Sequence, residues 1–233
     1  FKIGKGNDLQ FGVQQKSVSM MIDESLYQSL NSIDIIDTAR VRNQDMNLST
    51  IWGQHIYSHS IIKTLKYGLR ANYYEPTGKF YIEPRAQLSI TLTPKAYLKF
   101  SAGKYYQFVN KILTYSTSSF RSVWTVSDGD RFPVVSSKHY TAGALFRFPK
   151  SLTLDIEGYI RNTQDIVTVQ TVLRRESGVR VRQEQIFNSI DNKTIGLDMM
   201  LHKEFGFAQA WIAYTLSRSI NQSDNINRGN AYP

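Results

Sequence analysis

Residues 84–108, PRAQLSITLTPKAYLKFSAGKYYQF, alternate in polarity. Ala86, Leu88, Ile90 and Leu92 are apolar, and Arg85, Gln87, Ser89 and Thr91 between them are polar. After Thr93-Pro94-Lys95 the rhythm resumes, with Leu98, Phe100 and Ala102 set against Lys99, Ser101 and Gly103. Successive side chains of a strand point to opposite faces, so a period of two marks a strand with one greasy face. The stretch reads as two long antiparallel strands joined by a minimal turn. Whether the greasy face meets a protein core or lipid decides the fold.

The same period recurs along most of the chain. Leu9, Phe11 and Val13 carry it, as do Leu65, Tyr67, Leu69, Ala71 and Tyr73. So do Leu152, Leu154, Ile156 and Ile160, then Ile195, Leu197, Met199 and Leu201, then Ala208, Ala210, Ile212, Tyr214 and Leu216. A sustained 3.6-residue period is absent, and the best helical candidate, 20–36, reads as loop. The expected class is all-β.

The connections between these runs come in two sizes. Short ones fall at 4–7, 59–63, 93–95, 149–151 and 203–206; longer ones at 24–41, 109–139, 168–190 and from 220 onward. A tight turn at 75–79 falls on the long-loop side. Short and long sides alternate strictly, as in an up-and-down meander whose short turns all sit at one end. Outer-membrane barrels have short periplasmic turns and longer extracellular loops.

Strand length points the same way. Soluble strands usually run about 5–6 residues, whereas Ala96 to Phe108 and Leu152 to Val167 are longer. A tilted membrane strand needs about 9–11. Aromatics bunch near the long-loop ends, at Tyr73-Tyr74, Phe80-Tyr81 and Tyr105-Tyr106 with Phe108, which suggests an interfacial girdle or plain β-propensity. On this reading Leu88, Ile90, Leu98, Phe100, Leu152, Leu154 and Ile156 face lipid. Lys66, Arg70, Asp155, Glu157 and Arg161 face a wet or plugged lumen. Polarity alone leaves a soluble sandwich open, because its polar face would meet bulk water.

Composition narrows the function. The net charge is +9, from 28 Lys+Arg against 19 Asp+Glu. The basic residues are scattered and form no recognisable nucleic-acid motif, so no nucleic-acid partner is expected. The absence of cysteine removes disulfides, thiolate metal sites and Cys nucleophiles. An apolar run of about 18 residues, which a membrane helix would need, is absent, but alternating barrel strands escape that criterion. The chain opens on Phe1 with no leader-like segment and closes in loop-like residues. The expectation is that 1–233 is a portion of a single β-barrel domain.

Catalytic and metal signatures are weak. His55 and His59 have the i, i+4 spacing of a helical metal pair, but on a strand that spacing spans about 13 Å. A Gly-x-Ser-x-Gly, P-loop or Rossmann fingerprint does not occur. Asp128-Gly129-Asp130 hints at a calcium loop but lacks the other EF-hand ligands, so it reads as a solvated turn. No enzyme activity, cofactor or metal is expected. With Trp124 and Arg131, Asp128 could also touch a ligand from a long loop. Arg174, Arg175, Arg180 and Arg182 form a basic loop suited to lipopolysaccharide phosphates or simply to solvent. The candidate ligand-binding residues are Trp124, Asp128, Arg131, Arg174 and Arg175.

LKYGLRANYYEPTGKFYIEPRAQLSITLTPKAYLKFSAGKYYQF and WTVSDGDRFPVVSSKHYTAGALFRFPKSLTLDIEGYIRNTQDIV resemble the barrel of a TonB-dependent outer-membrane receptor of Bacteroidota type. A "GLR" strand precedes an "EPR" strand, and a Pro- and Ser-bearing loop leads into Tyr140-Thr141-Ala142-Gly143. IGLDMMLHKEFGFAQAWIAYTLSRS resembles the family's Gly-hydrophobe-acid strand, turn and "YTLS" strand. The likeness spans roughly residues 8 to 220. It implies a transmembrane β-barrel in the outer membrane of a Gram-negative cell, contacting lipid and lipopolysaccharide. It also implies energised uptake of a scarce or bulky nutrient such as a metal chelate, peptide or glycan. A full barrel of this kind has about 22 strands, and about ten are legible here. The family's plug, its TonB-contacting segment and its C-terminal strands are expected outside this sequence. A passive porin-like barrel and a soluble all-β ligand- or carbohydrate-binding domain are the alternatives.

Overall fold

The computed structural model of the chain describes residues 6–24, 40–115, 120–175 and 181–233. It contains eleven strands: β1 (Asn7–Glu24), β2 (Arg40–Tyr57), β3 (Ile62–Tyr74), β4 (Lys79–Thr93), β5 (Ala96–Gln107), β6 (Val109–Tyr115), β7 (Phe120–Val126), β8 (Val135–Phe148), β9 (Leu152–Arg175), β10 (Val181–Glu204) and β11 (Gln209–Gln222). Two single 3-10 turns, Glu75–Thr77 and Asn227–Gly229, are the only helical elements among the described residues. Nine strands form one continuous path, β1-β2-β3-β4-β5-β8-β9-β10-β11, and every neighbour on it is antiparallel. Among the described residues no pairing joins β1 to β11, so the sheet is open.

Register turns the local alternation into a property of the whole sheet. Leu65 lies opposite Leu88, Leu88 opposite Phe100, Phe100 opposite Ala142, Ala142 opposite Gly158, Gly158 opposite Leu197 and Leu197 opposite Leu216. The next row runs Ile90, Leu98, Ala144, Ile156, Met199 and Tyr214. A third runs Phe146, Leu154, Leu201 and Ile212. A one-residue slip in any strand would flip its side chains to the other face. Leu88, Ile90, Leu98, Phe100, Leu152, Leu154 and Ile156 therefore share one apolar face.

The opposite face is polar. Its matching row runs Lys66, Gln87, Ser101, Thr141, Tyr159, Gly196 and Ser217. Turns at one end are short: 58–61, Pro94-Lys95, 149–151 and 205–208. In the three-residue turn 149–151, Lys150 and Ser151 both have positive φ, 61° and 56°. At the other end lie the 3-10 turn at Glu75–Thr77 and the ends of the strands whose connections are longer, β1 to β2, β5 to β8 and β9 to β10.

Three expectations need correction. The 20–36 segment is not all loop, because β1 continues through Met20 to Glu24; its remainder lies outside the described residues. The loop expected over 168–190 is mostly strand: β9 runs to Arg175 and β10 resumes at Val181, paired from Val181↔Arg175 onward. The loop expected over 109–139 contains a hairpin, β6–β7, off the main path.

That hairpin creates the core. Three residues of β6 pair parallel with β9, from Leu113↔Thr168 to Tyr115↔Gln170. Behind it Tyr74, Phe108, Val126, Met46, Leu48 and Val134 pack as one buried cluster, with Tyr81 and Tyr106 against it. The Tyr73-Tyr74 and Phe80-Tyr81 pairs divide by parity, whereas Tyr106, at the end of β5, packs against the cluster. Tyr73 and Phe80 pair on the apolar face at 5.1 Å, Phe80 being 69% exposed. Tyr74, on the other face, is fully buried, 4.6 Å from Phe108. Only the first pair is positioned to serve an interfacial girdle; the second group is a core beneath the hairpin.

Candidate functional site

The polar face of β1–β5 forms a cleft of about 350 Å³ lined by Gln14, Trp52, Lys66, Arg70, Arg85 and Tyr105 among others. Period-two geometry brings these residues together from five strands. Three of the lining side chains are cationic and none is a carboxylate. Arg70 donates from Nη2 to Gln14 Oε1 at 2.9 Å, while its buried Nε has no hydrogen-bond partner. The Arg85 guanidinium stacks 5.0 Å from the Tyr105 ring centre and pairs with Glu83. Glu83 is buried and also accepts the Tyr106 backbone N–H at 3.0 Å. Its charge is therefore spent on structure, and Lys66 and Arg70 remain the cleft's available cations. Such a surface binds polar or anionic groups through charge-assisted hydrogen bonds.

Toward the short-turn end the same face changes sign. Lys99 Nζ bonds both oxygens of Asp155, at 2.6 and 2.8 Å, and lies 3.7 Å from Glu157. Lys99 on β5 reaches β9 by crossing β8 at Gly143, which sits between Lys99 and Glu157 in the register. A Cβ at Gly143 would come within 2.5 Å of the Ile156 carbonyl oxygen, so only glycine fits. Asp198 lies directly across from Glu157. Two carboxylates thus share one lysine, and a third faces one of them across the register.

The residues singled out from sequence are not one cluster. Trp124 is on β7, opposite Lys111 and 54% exposed. Asp128 Oδ1 accepts the backbone N–H groups of Asp130 and Phe132, each at 2.9 Å, which makes it the organiser of the following turn. Arg131 is exposed in that turn. Arg174 and Arg175 lie on the backbone of the upper β9 extension, opposite Arg182 and Val181; Arg180 lies outside the described residues. His55 does not share a site with His59: its nitrogens are each 3.1 Å from the Tyr67 hydroxyl and Asn7 Oδ1, whereas His59 stacks on Tyr57. Trp52, Arg85 and Tyr105 were not anticipated as site residues. Following one parity across β2 to β5 would have found them.

No protein-family model matches the chain, and no curated protein matches it. Solved structures do. The siderophore receptor PirA from Pseudomonas aeruginosa superposes with a TM-score of 0.57 at 11% identity, over 93% of this chain and 46% of that one. The siderophore receptor PirA from Acinetobacter baumannii gives 0.52 at 8%, over 95% and 46%. The RagAB peptide importer in its closed-closed state gives 0.55 at 12%, over 100% and 31%. The fold is that of a partial β-barrel like theirs. The chain spans less than half the length of these structures, and its open sheet corresponds to one arc of their walls.

Proposed function

We propose that this chain forms part of the wall of an outer-membrane receptor that takes up a scarce or bulky nutrient, such as a metal chelate, peptide or glycan. The carrying observation is the sheet-wide apolar face, held in register over strands whose short and long connections alternate by end. On this reading Leu88, Ile90, Leu98, Phe100, Leu152, Leu154 and Ile156 face acyl chains. The Lys66–Arg70–Arg85 cleft faces the lumen. The β6–β7 hairpin with Trp124, the turn after it with Asp128 and Arg131, and the upper end of β9 with Arg174 and Arg175 form the ligand-facing mouth. The work is binding and gated passage, with no bond made or broken. A plug region and its energy-coupling partner TonB would belong to the rest of the protein. The likeness to both siderophore receptors and a peptide importer supports the transport class and leaves the cargo open among bulky solutes.

The full-length protein tests this directly. It is expected in the outer-membrane fraction, with the unheated form migrating differently from the boiled form on a gel. Uptake of its cargo, screened across iron chelates, peptides and oligosaccharides, should stop when the inner-membrane proton gradient is collapsed. Uptake that persists without the gradient would instead favour a passive pore.

A further inference from the structure

We infer that the β6–β7 hairpin is a fixed ledge over the cationic cleft, and that it sets the size of solute able to reach that cleft from the long-loop end. The inference rests on the barrel reading above, which makes the charged face the lumen wall and the long-loop end the outer mouth. The ledge is anchored at both ends. At its root, Gln44 of β2 accepts the Val126 backbone N–H and the Thr125 hydroxyl, and the Tyr74 hydroxyl of β3 donates to the Ser127 carbonyl just beyond β7. At its far end, Leu113 to Tyr115 pair with Thr168 to Gln170 of β9. Strands β3, β4, β5 and β8 separate β2 from β9 in the main path. A hairpin tied to β2 at its root and to β9 at its far end therefore passes across the upper ends of those four strands.

The hairpin lies on the charged face. Gln44, Met46 and Leu48 alternate along β2 with the parity of Trp52, and Tyr74 has the parity of Lys66 and Arg70. All four are buried at the root, together with Phe108, Val126 and Val134. This cover reaches down to the cleft. Thr50 and Asn72, hydrogen-bonded at 2.8 Å, are buried, and the next row down is Trp52 and Arg70, which both line the cleft. Further along the hairpin the same face opens. Val109 and Val126 pack in the cluster, whereas the next pair on that face, Lys111 and Trp124, is exposed. A face that packs on the wall at its root and is open farther out overhangs the surface below it. Trp124 and Lys111 thus project over the approach to Lys66, Arg70 and Arg85. Lifting the root would strand the Val126 N–H and open the buried cluster, so the ledge restricts passage without swinging aside. Gln44 is its positioning residue, and Trp124 is the bulk that narrows the way.

The test uses the full-length protein, freed of other cysteines and carrying one introduced cysteine. Intact cells are treated from outside with a small charged maleimide or with a bulky polyethylene-glycol maleimide. Gln87→Cys reports the cleft, where Gln87 is an exposed lining residue, and Asp130→Cys reports the exposed turn outside the ledge. Both reagents should modify Asp130→Cys, and only the small one should modify Gln87→Cys. Gln44→Ala, which unties the root, should admit the bulky reagent to Gln87→Cys. Trp124→Ala, at a 54%-exposed site, leaves the root intact and should speed the bulky reagent as well. Three results overturn the ledge and leave the barrel reading intact. They are equal modification of Gln87→Cys by both reagents in the parent, failure of the small reagent there in the parent and both variants, and exclusion of the bulky reagent that persists in every variant reaching the membrane. An Asp130→Cys that neither reagent reaches until the cells are broken overturns the barrel reading and the ledge with it.

Discussion

At the residue scale, two side chains near the long-loop end make separable predictions. The Tyr74 hydroxyl donates to the Ser127 carbonyl at 2.6 Å, joining the top of β3 to the segment just after the β6–β7 hairpin. Tyr74→Phe keeps the ring in its cluster and removes that bond. The expected cost is about 1 kcal/mol, seen as faster amide hydrogen exchange at Val126 and Ser127 with unchanged exchange in β9. Asp165 is different in kind. It sits at the register shift between β9 and β10 with φ 66°, above the apolar band. Burial, and then the Asp191 carboxylate, hold its carboxyl above the ordinary aspartate value. A carboxyl that binds its proton more tightly when folded favours the fold in its protonated form. Its stabilising effect is thus full below the ordinary aspartate range and is lost as pH rises through the raised value. Asp165→Asn, which tolerates the same backbone, should raise thermal stability at neutral pH. That advantage should shrink on acidification toward about pH 4. Identical pH profiles for variant and wild type would remove the account of this bulge.

At the element scale, one side-chain amide ties the β6–β7 hairpin to β2. Gln44 Oε1 accepts the Val126 backbone N–H at 2.8 Å and the Thr125 hydroxyl at 3.0 Å, all within a buried patch. Gln44→Ala strands a buried N–H, a cost of about 1–3 kcal/mol. Limited proteolysis should then cut within 109–126 at lower protease concentration, while β8 to β11 stay protected. This hairpin also marks where sequence reading ran out. Parity in Leu88, Leu98, Phe100 and Leu154 was legible because an apolar face imposes strict alternation there. Above that band the constraint relaxes. Residues 168–175 and 181–190 mix Val, Thr, Gln and Arg without a clean period, and so read as loop although they pair as strand. The parallel contact of β6 with β9 has no local signature, because it depends on where distant β9 lies in space. The cleft was half legible for a similar reason. Lys66 and Arg70 stood out on one strand, whereas Trp52 and Tyr105 join them only once the three registers between β2 and β5 are known.

At the scale of the whole molecule, the described strands of the main path form one open sheet with an apolar face and a charged, polar face. From Leu152 to Ile160 the apolar residues of β9 climb about 26 Å along the strand. With a tilt near 40° that gives a band about 20 Å tall before side chains are added, close to the apolar height of an outer-membrane barrel. The inner face runs from carboxylates Asp155, Glu157 and Asp198 near the short turns to Lys66, Arg70 and Arg85 higher up. On the barrel reading, anything seated in the lumen meets that gradient. The claim beneath all of this is that alternate residues of each strand look into hydrocarbon. It is tested by placing nitroxide labels singly at Leu98, Phe100 and Leu154, and at the inward Ser101 and Thr141, in the full-length protein reconstituted in lipid bilayers. The account predicts that oxygen, which concentrates in acyl chains, relaxes the first three labels more than a water-soluble paramagnetic reagent does, with the order reversed at the last two. Preferential relaxation of Leu98, Phe100 and Leu154 by the water-soluble reagent would contradict it.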